Sequence, residues 1–116
     1  YNKIDVALDT FPYNGVTTSM EAIWMGVPVL TLKGYNITSR CGESINANCN
    51  LKEFIANDKN DYIQKAIELT KNPDSLCFLK ENLREEASKT PLFNTKEFTD
   101  ELSKQLINLW EKNNTI

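Results

Sequence analysis

The sequence predicts an α/β fold with parallel strands, and three observations carry that expectation. Two short apolar runs, Ile4-Asp-Val-Ala-Leu8 before Asp9 and Val27-Pro-Val-Leu-Thr-Leu32 after Gly26, have the length of buried strands. Between them Met20, Ile23 and Trp24 recur at helical spacing. The rest of the 116-residue chain reads as a succession of helices. A strand–helix–strand order within one sheet implies parallel strands joined by a right-handed crossover.

Taken in order, residues 4–8 are the first strand, and residues 9–17 a loop leading to a helix over 18–25. Gly26 suits the position just past that helix, and Pro28 blocks its continuation. Residues 27–32 are the second strand. A short helix over 38–47 follows the Gly34 loop, and residues 51–56 read as one or two further helical turns. Residues 61–71 place Tyr62, Ile63, Ala66, Ile67 and Thr70 on one side of a helix. Asn72-Pro73 opens the next, with Pro at the first helical position. That helix uses Leu76, Leu79 and Leu83 and ends before Pro91. Asn94, with Glu97 three residues on, caps a last helix striped by Phe98, Leu102, Leu106 and Leu109, with Trp110 beside it. Trp24 and Trp110 both lie on apolar stripes, which predicts core packing.

This layout has a physical gap. Parallel strands are normally buried on both faces of a larger sheet, and two strands alone are marginal. The missing strands are expected upstream. A start at Tyr1, running straight into a strand, fits a piece cut from a longer protein, so residues 1–116 are read as one portion of a domain.

Composition narrows the partners. Sixteen acidic against 13 basic residues give a net charge of −3, and no Lys/Arg cluster occurs, which argues against nucleic acid. The longest apolar run is far short of the ~20 residues that span a bilayer. No secretory signal pattern is expected. Cys41, Cys49 and Cys77 are scattered, no histidine is present, and no metal-type pair spacing occurs, so they read as reduced thiols of a cytoplasmic protein without a metal site. Asn36-Ile-Thr38 and Asn113-Asn-Thr115 match the glycosylation acceptor pattern, which carries little weight without a secretion signal.

The segment Tyr13-Asn-Gly-Val-Thr-Thr-Ser-Met-Glu21 has two readings. In the structural one, Thr18 and Glu21 form a capping box, contributing about 1 kcal/mol. That leaves Thr17 and the Asn14-Gly15 turn unexplained. In the functional one, the loop follows a strand's carboxyl end, where open α/β sheets bind ligands. It delivers a helix start whose free N–H groups favour an anion, Gly15 permits close backbone approach, and two hydroxyls add donors. A phosphate or diphosphate suits such a site. The pattern is neither a P-loop, since no Lys follows the glycine, nor the G-x-G-x-x-G fingerprint.

Leu8-Asp-Thr-Phe-Pro-Tyr-Asn-Gly-Val-Thr-Thr-Ser-Met-Glu-Ala-Ile-Trp-Met-Gly-Val-Pro-Val-Leu-Thr-Leu resembles the donor-binding loop of the O-GlcNAc transferase family, which includes SPINDLY-type plant relatives and bacterial proteins with tetratricopeptide repeats. Ser39-Arg40 is similar to the next family segment, and Thr90-Pro-Leu-Phe-Asn-Thr-Lys-Glu-Phe-Thr-Asp-Glu-Leu through Leu109-Trp110 to the family's carboxyl terminus. The resemblance covers nearly the whole chain in order. It implies the end of the carboxyl-terminal Rossmann-like half of a GT-B glycosyltransferase, with a UDP-sugar donor and no separate cofactor. It also implies a protein acceptor, and a parent protein with an upstream N-terminal half of the catalytic region and tetratricopeptide repeats. By resemblance Thr17 and Thr18 contact the donor diphosphate, Glu21 binds the ribose hydroxyls, and Gly15 and Val16 line the same loop.

Two departures bear on this. Animal members carry His where this chain has Val16, and Asp where it has Glu21. The family also includes a fucosyl-transferring branch. Its uracil-binding segment, diphosphate-contacting lysine and proposed catalytic histidine lie upstream, so no catalytic residue is assigned here. Two alternatives stay open: a non-catalytic degenerate module for protein contact, and another nucleotide-sugar enzyme of the same architecture. Arg40 is expected in a surface ion pair, Asp5 and Asp9 in turns, and Cys41 as a structural thiol at a helix start. Exposure of the strand edge at residues 4–8 implies self-association of the isolated chain.

Overall fold

The computed structural model describes residues 1–114. Three parallel strands, β1 (Ala7–Leu8), β2 (Val29–Leu32) and β3 (Ile55–Ala56), lie in the order β1-β2-β3. Ala7 pairs with Val29, and Thr31 with Ile55. Among the described residues five helices follow, α1 (Thr17–Trp24), α2 (Cys41–Ala47), α3 (Lys59–Lys71), α4 (Pro73–Ser88) and α5 (Thr95–Asn114), of which α1 to α4 pack around the sheet and α5 extends from it. The strand–helix–strand start is therefore as the apolar runs indicated, with strands shorter than the runs themselves.

The third strand departs from the helical expectation for residues 51–56. Only Lys52–Phe54 form a 3-10 turn; Ile55–Ala56 then pair with β2. A two-residue strand has no periodicity to detect, and its identity comes from the neighbour it bonds to. The predicted helix over 38–47 is likewise divided, into a 3-10 turn at Ile37–Ser39 and α2.

Local chemistry explains the helix ends. Asp58 caps α3 by accepting the Asp61 N–H, and Asn72 caps α4 by accepting that of Ser75, with Pro73 first in the helix. Asn94 accepts the Glu97 N–H while its amide donates to the Glu97 carboxylate. At the end of α1, Gly26 takes φ +79°; its N–H donates to the Ile23 carbonyl and that of Val27 to the Ala22 carbonyl. Those two bonds form a Schellman motif, which needs a residue free to turn left-handed.

The core joins Ala22 and Ile23 of α1, Val27 and Val29, Ile45 of α2, Cys49, Leu51, Phe54, and Leu83 and Ala87 of α4. Helix α3 buries its Tyr62–Lys65–Ala66–Leu69 side only partly and turns Ile63 and Ile67 to solvent. Trp24 is not a core residue. It is half exposed, with its ring 5.1 Å from that of Phe93 and the Arg84 guanidinium 4.7 Å above it. Trp110 departs further, being 68% exposed on a helix that buries no residue at all. An amphipathic stripe reports that a helix has a face to cover, not that the cover is present. The radius of gyration, 16.9 Å, exceeds the ~13 Å of a compact chain this long. Helix α5, roughly 30 Å long, accounts for the excess.

Candidate functional site

Residues 9–16 leave the carboxyl end of β1 and deliver α1, and the loops after β2 and β3 open on the same edge of the sheet. The loop is tied down by two buried polar side chains. Asp9, 8% exposed, accepts the Gly15 N–H at 2.8 Å through Oδ1 and the Thr31 hydroxyl at 2.7 Å through Oδ2. Asn14, 1% exposed, accepts the Gly42 N–H at 3.3 Å and donates to the Thr10 carbonyl at 3.0 Å. Its own N–H donates to the Thr38 carbonyl. The Tyr62 hydroxyl donates to the Asp9 carbonyl at 3.1 Å, and its ring meets Phe11 edge-on. Burial pushes the Tyr62 phenol above its ordinary pKa, and the Asp9 charge adds to that. The Phe11–Pro12 peptide is cis.

Outside this tethered frame stand the predicted donor residues. Thr17, Thr18 and Glu21 are exposed on one face of α1, at i, i+1 and i+4. The capping box does not form. Val16 occupies the N-cap and supplies no side-chain bond, so Thr17 is the first helical residue and Thr18 the second. The cap fails because the helix begins two residues earlier than a Thr18 cap requires, with Val16 in the N-cap position. Among the described residues, the side chains of Thr17, Thr18 and Glu21 make no hydrogen bond or ion pair with the protein. The backbone N–H groups of Thr17, Thr18 and Ser19 have no protein acceptor there either. An open helix start of this kind is the arrangement that takes an anion.

Gly15 also has a packing part within the loop. Its N–H points inward to Asp9. A Cβ there would lie 2.6 Å from Thr18 Oγ1 and 2.7 Å from Ser19 Oγ, so glycine leaves room for the hydroxyls of the first helical turn. Val16 is exposed beside them.

Arg40 makes the expected surface ion pair. Its Nε lies 2.7 Å from Glu43, and Lys33 Nζ 2.9 Å from the same carboxylate. The Arg40 hydrogen bond, then that of Lys33, holds the Glu43 carboxyl below its ordinary pKa. Cys41 begins α2 and donates to the Ile37 carbonyl. All three cysteines are free thiols, and burial raises the pKa of Cys49. Asn36 spends its side chain capping the Ile37–Ser39 turn, and Thr115 of the second acceptor pattern lies outside the described residues. No group of three or more His, Cys, Asp or Glu able to hold a metal occurs among the described residues. No described helix is long and apolar enough to cross a membrane. A cleft of about 630 Å³ between Phe54, Leu69, Leu79 and Leu83 shares no residue with the loop. We place the candidate site at the loop, where the donors of the α1 start have no protein partner among the described residues.

Asp9, Asn14, Thr31 and Tyr62 were not singled out from sequence as a group. A threonine inside the apolar run 27–32 was the one available signal, since its hydroxyl needs a buried partner.

Fold and loop together define a class: a Rossmann-like α/β unit with an open helix start at the carboxyl edge of a parallel sheet. Residues 2–102 match the description Glycosyl transferase family 41, and the chain belongs to that family. It is 35% identical over 112 residues to SPINDLY of Petunia hybrida, described as a probable UDP-N-acetylglucosamine–peptide N-acetylglucosaminyltransferase. That match covers 97% of this chain and 12% of the relative. It is 33% identical over 107 residues to the similarly described SEC of Arabidopsis thaliana, covering 91% of this chain and 11% of the relative. A solved O-GlcNAc transferase mutant from Thermobaculum terrenum superposes with a TM-score of 0.86 at 39% identity, over 97% of this chain and 22% of that one. The fold is thus the α/β carboxyl-terminal part of a GT-B glycosyltransferase domain, and the chain spans about an eighth of these plant relatives.

Proposed function

We propose that this chain is the donor-binding part of a glycosyltransferase that moves N-acetylglucosamine from a UDP-sugar to Ser/Thr hydroxyls of proteins. The observation that carries the reading is the open start of α1, where the Thr17 and Thr18 hydroxyls and three backbone N–H groups lack protein partners among the described residues. Family membership and the names of the relatives support the donor and acceptor classes.

In this mechanism the acceptor hydroxyl oxygen attacks the anomeric carbon as the bond to UDP breaks. The electron pair of that bond leaves on the diphosphate. Thr17, Thr18 and the helix start donate to the oxygens where negative charge grows, which stabilises the transition state more than the bound donor. Glu21, one helical turn on, accepts the ribose hydroxyls, while Gly15 and Val16 shape the loop. The base that takes the acceptor proton is not assigned in this chain. The parent protein is proposed to be cytoplasmic, with an upstream Rossmann-like half and tetratricopeptide repeats, and the 116-residue piece to be inactive by itself.

The test is UDP binding by the full-length parent carrying Thr17→Ala or Thr18→Ala. A hydrogen bond to a charged group is worth about 1.5–3 kcal/mol, so each dissociation constant should rise roughly tenfold or more. Unchanged affinity in both variants would refute the assignment.

A further inference from the structure

We propose that Asp9 is a positioning residue for the donor: its carboxylate latches the 9–16 loop to β2 and thereby sets where Thr17 and Thr18 stand. This rests on the diphosphate reading of those threonines. The latch has three built parts. Oδ1 takes the Gly15 N–H at 2.8 Å, two residues before Thr17, and Oδ2 takes the Thr31 hydroxyl at 2.7 Å from the central strand. Thr31 is fully buried, so the strand side of the latch does not move with the surface. On the far side, a Cβ on Gly42 would collide with Thr31 Oγ1 and lie 2.5 Å from Asp9 Oδ2, so α2 closes over the pair only because that position is glycine.

The chemistry of the latch is specific. Asp9 has no cationic partner among the described residues, so two charge-assisted hydrogen bonds replace its lost water. One of those bonds spends the Gly15 N–H, which turns that amide away from the outer face of the loop. Further along, the amides of Thr17 to Ser19 have no protein acceptor among the described residues and are left for a ligand. Catalytic groups misplaced by about 1 Å can lose a hundredfold in rate, so a loop of this length needs an anchor close to its functional end.

The test uses the full-length parent and separates a donor-positioning role from a general structural one. Thr31→Val removes the hydroxyl at nearly constant volume, and Thr31→Ser restores it. Asp9→Asn keeps an acceptor for the Gly15 N–H and offers its amide to the Thr31 oxygen. We expect Thr31→Val to raise the donor KM about tenfold, the scale of one lost charged hydrogen bond, with the acceptor KM unchanged. Thr31→Ser should stay within about threefold of the parent, and Asp9→Asn, which makes both charge-assisted bonds neutral, should raise the donor KM to a value between those of Thr31→Ser and Thr31→Val. In a Thr17→Ala, Thr18→Ala background, Thr31→Val should cost less than in the parent, because the two hydroxyls it positions are gone and only the backbone N–H groups remain. A Thr31→Val variant with unchanged donor KM, while the threonine variants are impaired, would overturn the latch alone. So would a full tenfold loss in the double-alanine background. Silent Thr17→Ala and Thr18→Ala variants would overturn the diphosphate reading and, with it, the route assigned to Asp9.

Discussion

Glu21 illustrates how residue identity and residue role separate. Sequence spacing made it half of a capping box, yet the helix start at Thr17 leaves its carboxylate without a protein partner among the described residues. Glu21→Gln should therefore weaken UDP binding by the full-length parent while leaving its melting temperature within experimental scatter. Titration calorimetry and a thermal melt check both halves, and a large stability loss with intact binding would return Glu21 to a structural role. Gly15 lies at the opposite pole. Its missing side chain is what admits the Thr18 and Ser19 hydroxyls, so Gly15→Ala must displace them. Overpacking of this sort costs about 1–3 kcal/mol, and the same variant should also bind UDP less tightly.

At the scale of the element, α1 is fixed at its end more firmly than at its start. The Schellman bonds and the left-handed Gly26 stop it, and a Cβ on Gly26 would lie 2.9 Å from the Lys80 carbonyl oxygen of α4. Gly26→Ala combines a disfavoured φ with that backbone contact, so a destabilisation of about 1–3 kcal/mol is expected by denaturant titration. The start of α2 carries the clearest pH dependence. Glu43 has a folded pKa below its unfolded one, so its pairing with Arg40 and Lys33 contributes stability above the ordinary glutamate value. That contribution is lost as pH falls through the lowered folded value. Glu43→Gln should accordingly reduce the melting temperature near neutral pH, and the difference from the parent should vanish at strongly acidic pH.

The whole molecule presents surfaces that it does not itself cover. Leu8 is 61% exposed on edge strand β1, and the apolar residues of α5 face solvent along its length. Since α5 buries nothing, deleting residues 95–116 should change the melting temperature of the isolated chain by no more than a few degrees. The proposed site is also one-sided: it offers donors to a diphosphate, and no base is assigned in this chain. Two charge-assisted contacts give about 3–6 kcal/mol gross, and ordering takes back several. UDP should thus bind the isolated 116-residue chain with a dissociation constant of millimolar or weaker, and no sugar should be transferred. Amide shifts in an NMR titration measure this, and micromolar binding centred on residues 15–21 would show a more complete site. Sedimentation of the isolated chain tests whether the bare edge at residues 4–8 drives self-association.

By itself the sequence determined the strand–helix–strand start, the caps at Asn72-Pro73 and Asn94, the stop at Gly26 and the family resemblance. Each depends on neighbours within a few residues, or on a motif retained as a contiguous string. Tertiary structure alone decided that Ile55–Ala56 is a strand, that Trp110 is bare, that Val16 rather than Thr18 is the N-cap of α1, and that Asp9 meets Thr31. Those facts arise from pairings between distant residues, such as the 22 positions separating Asp9 from Thr31. A two-residue strand or a lone buried hydroxyl has no local period, and only the partner brought to it by folding gives it a role.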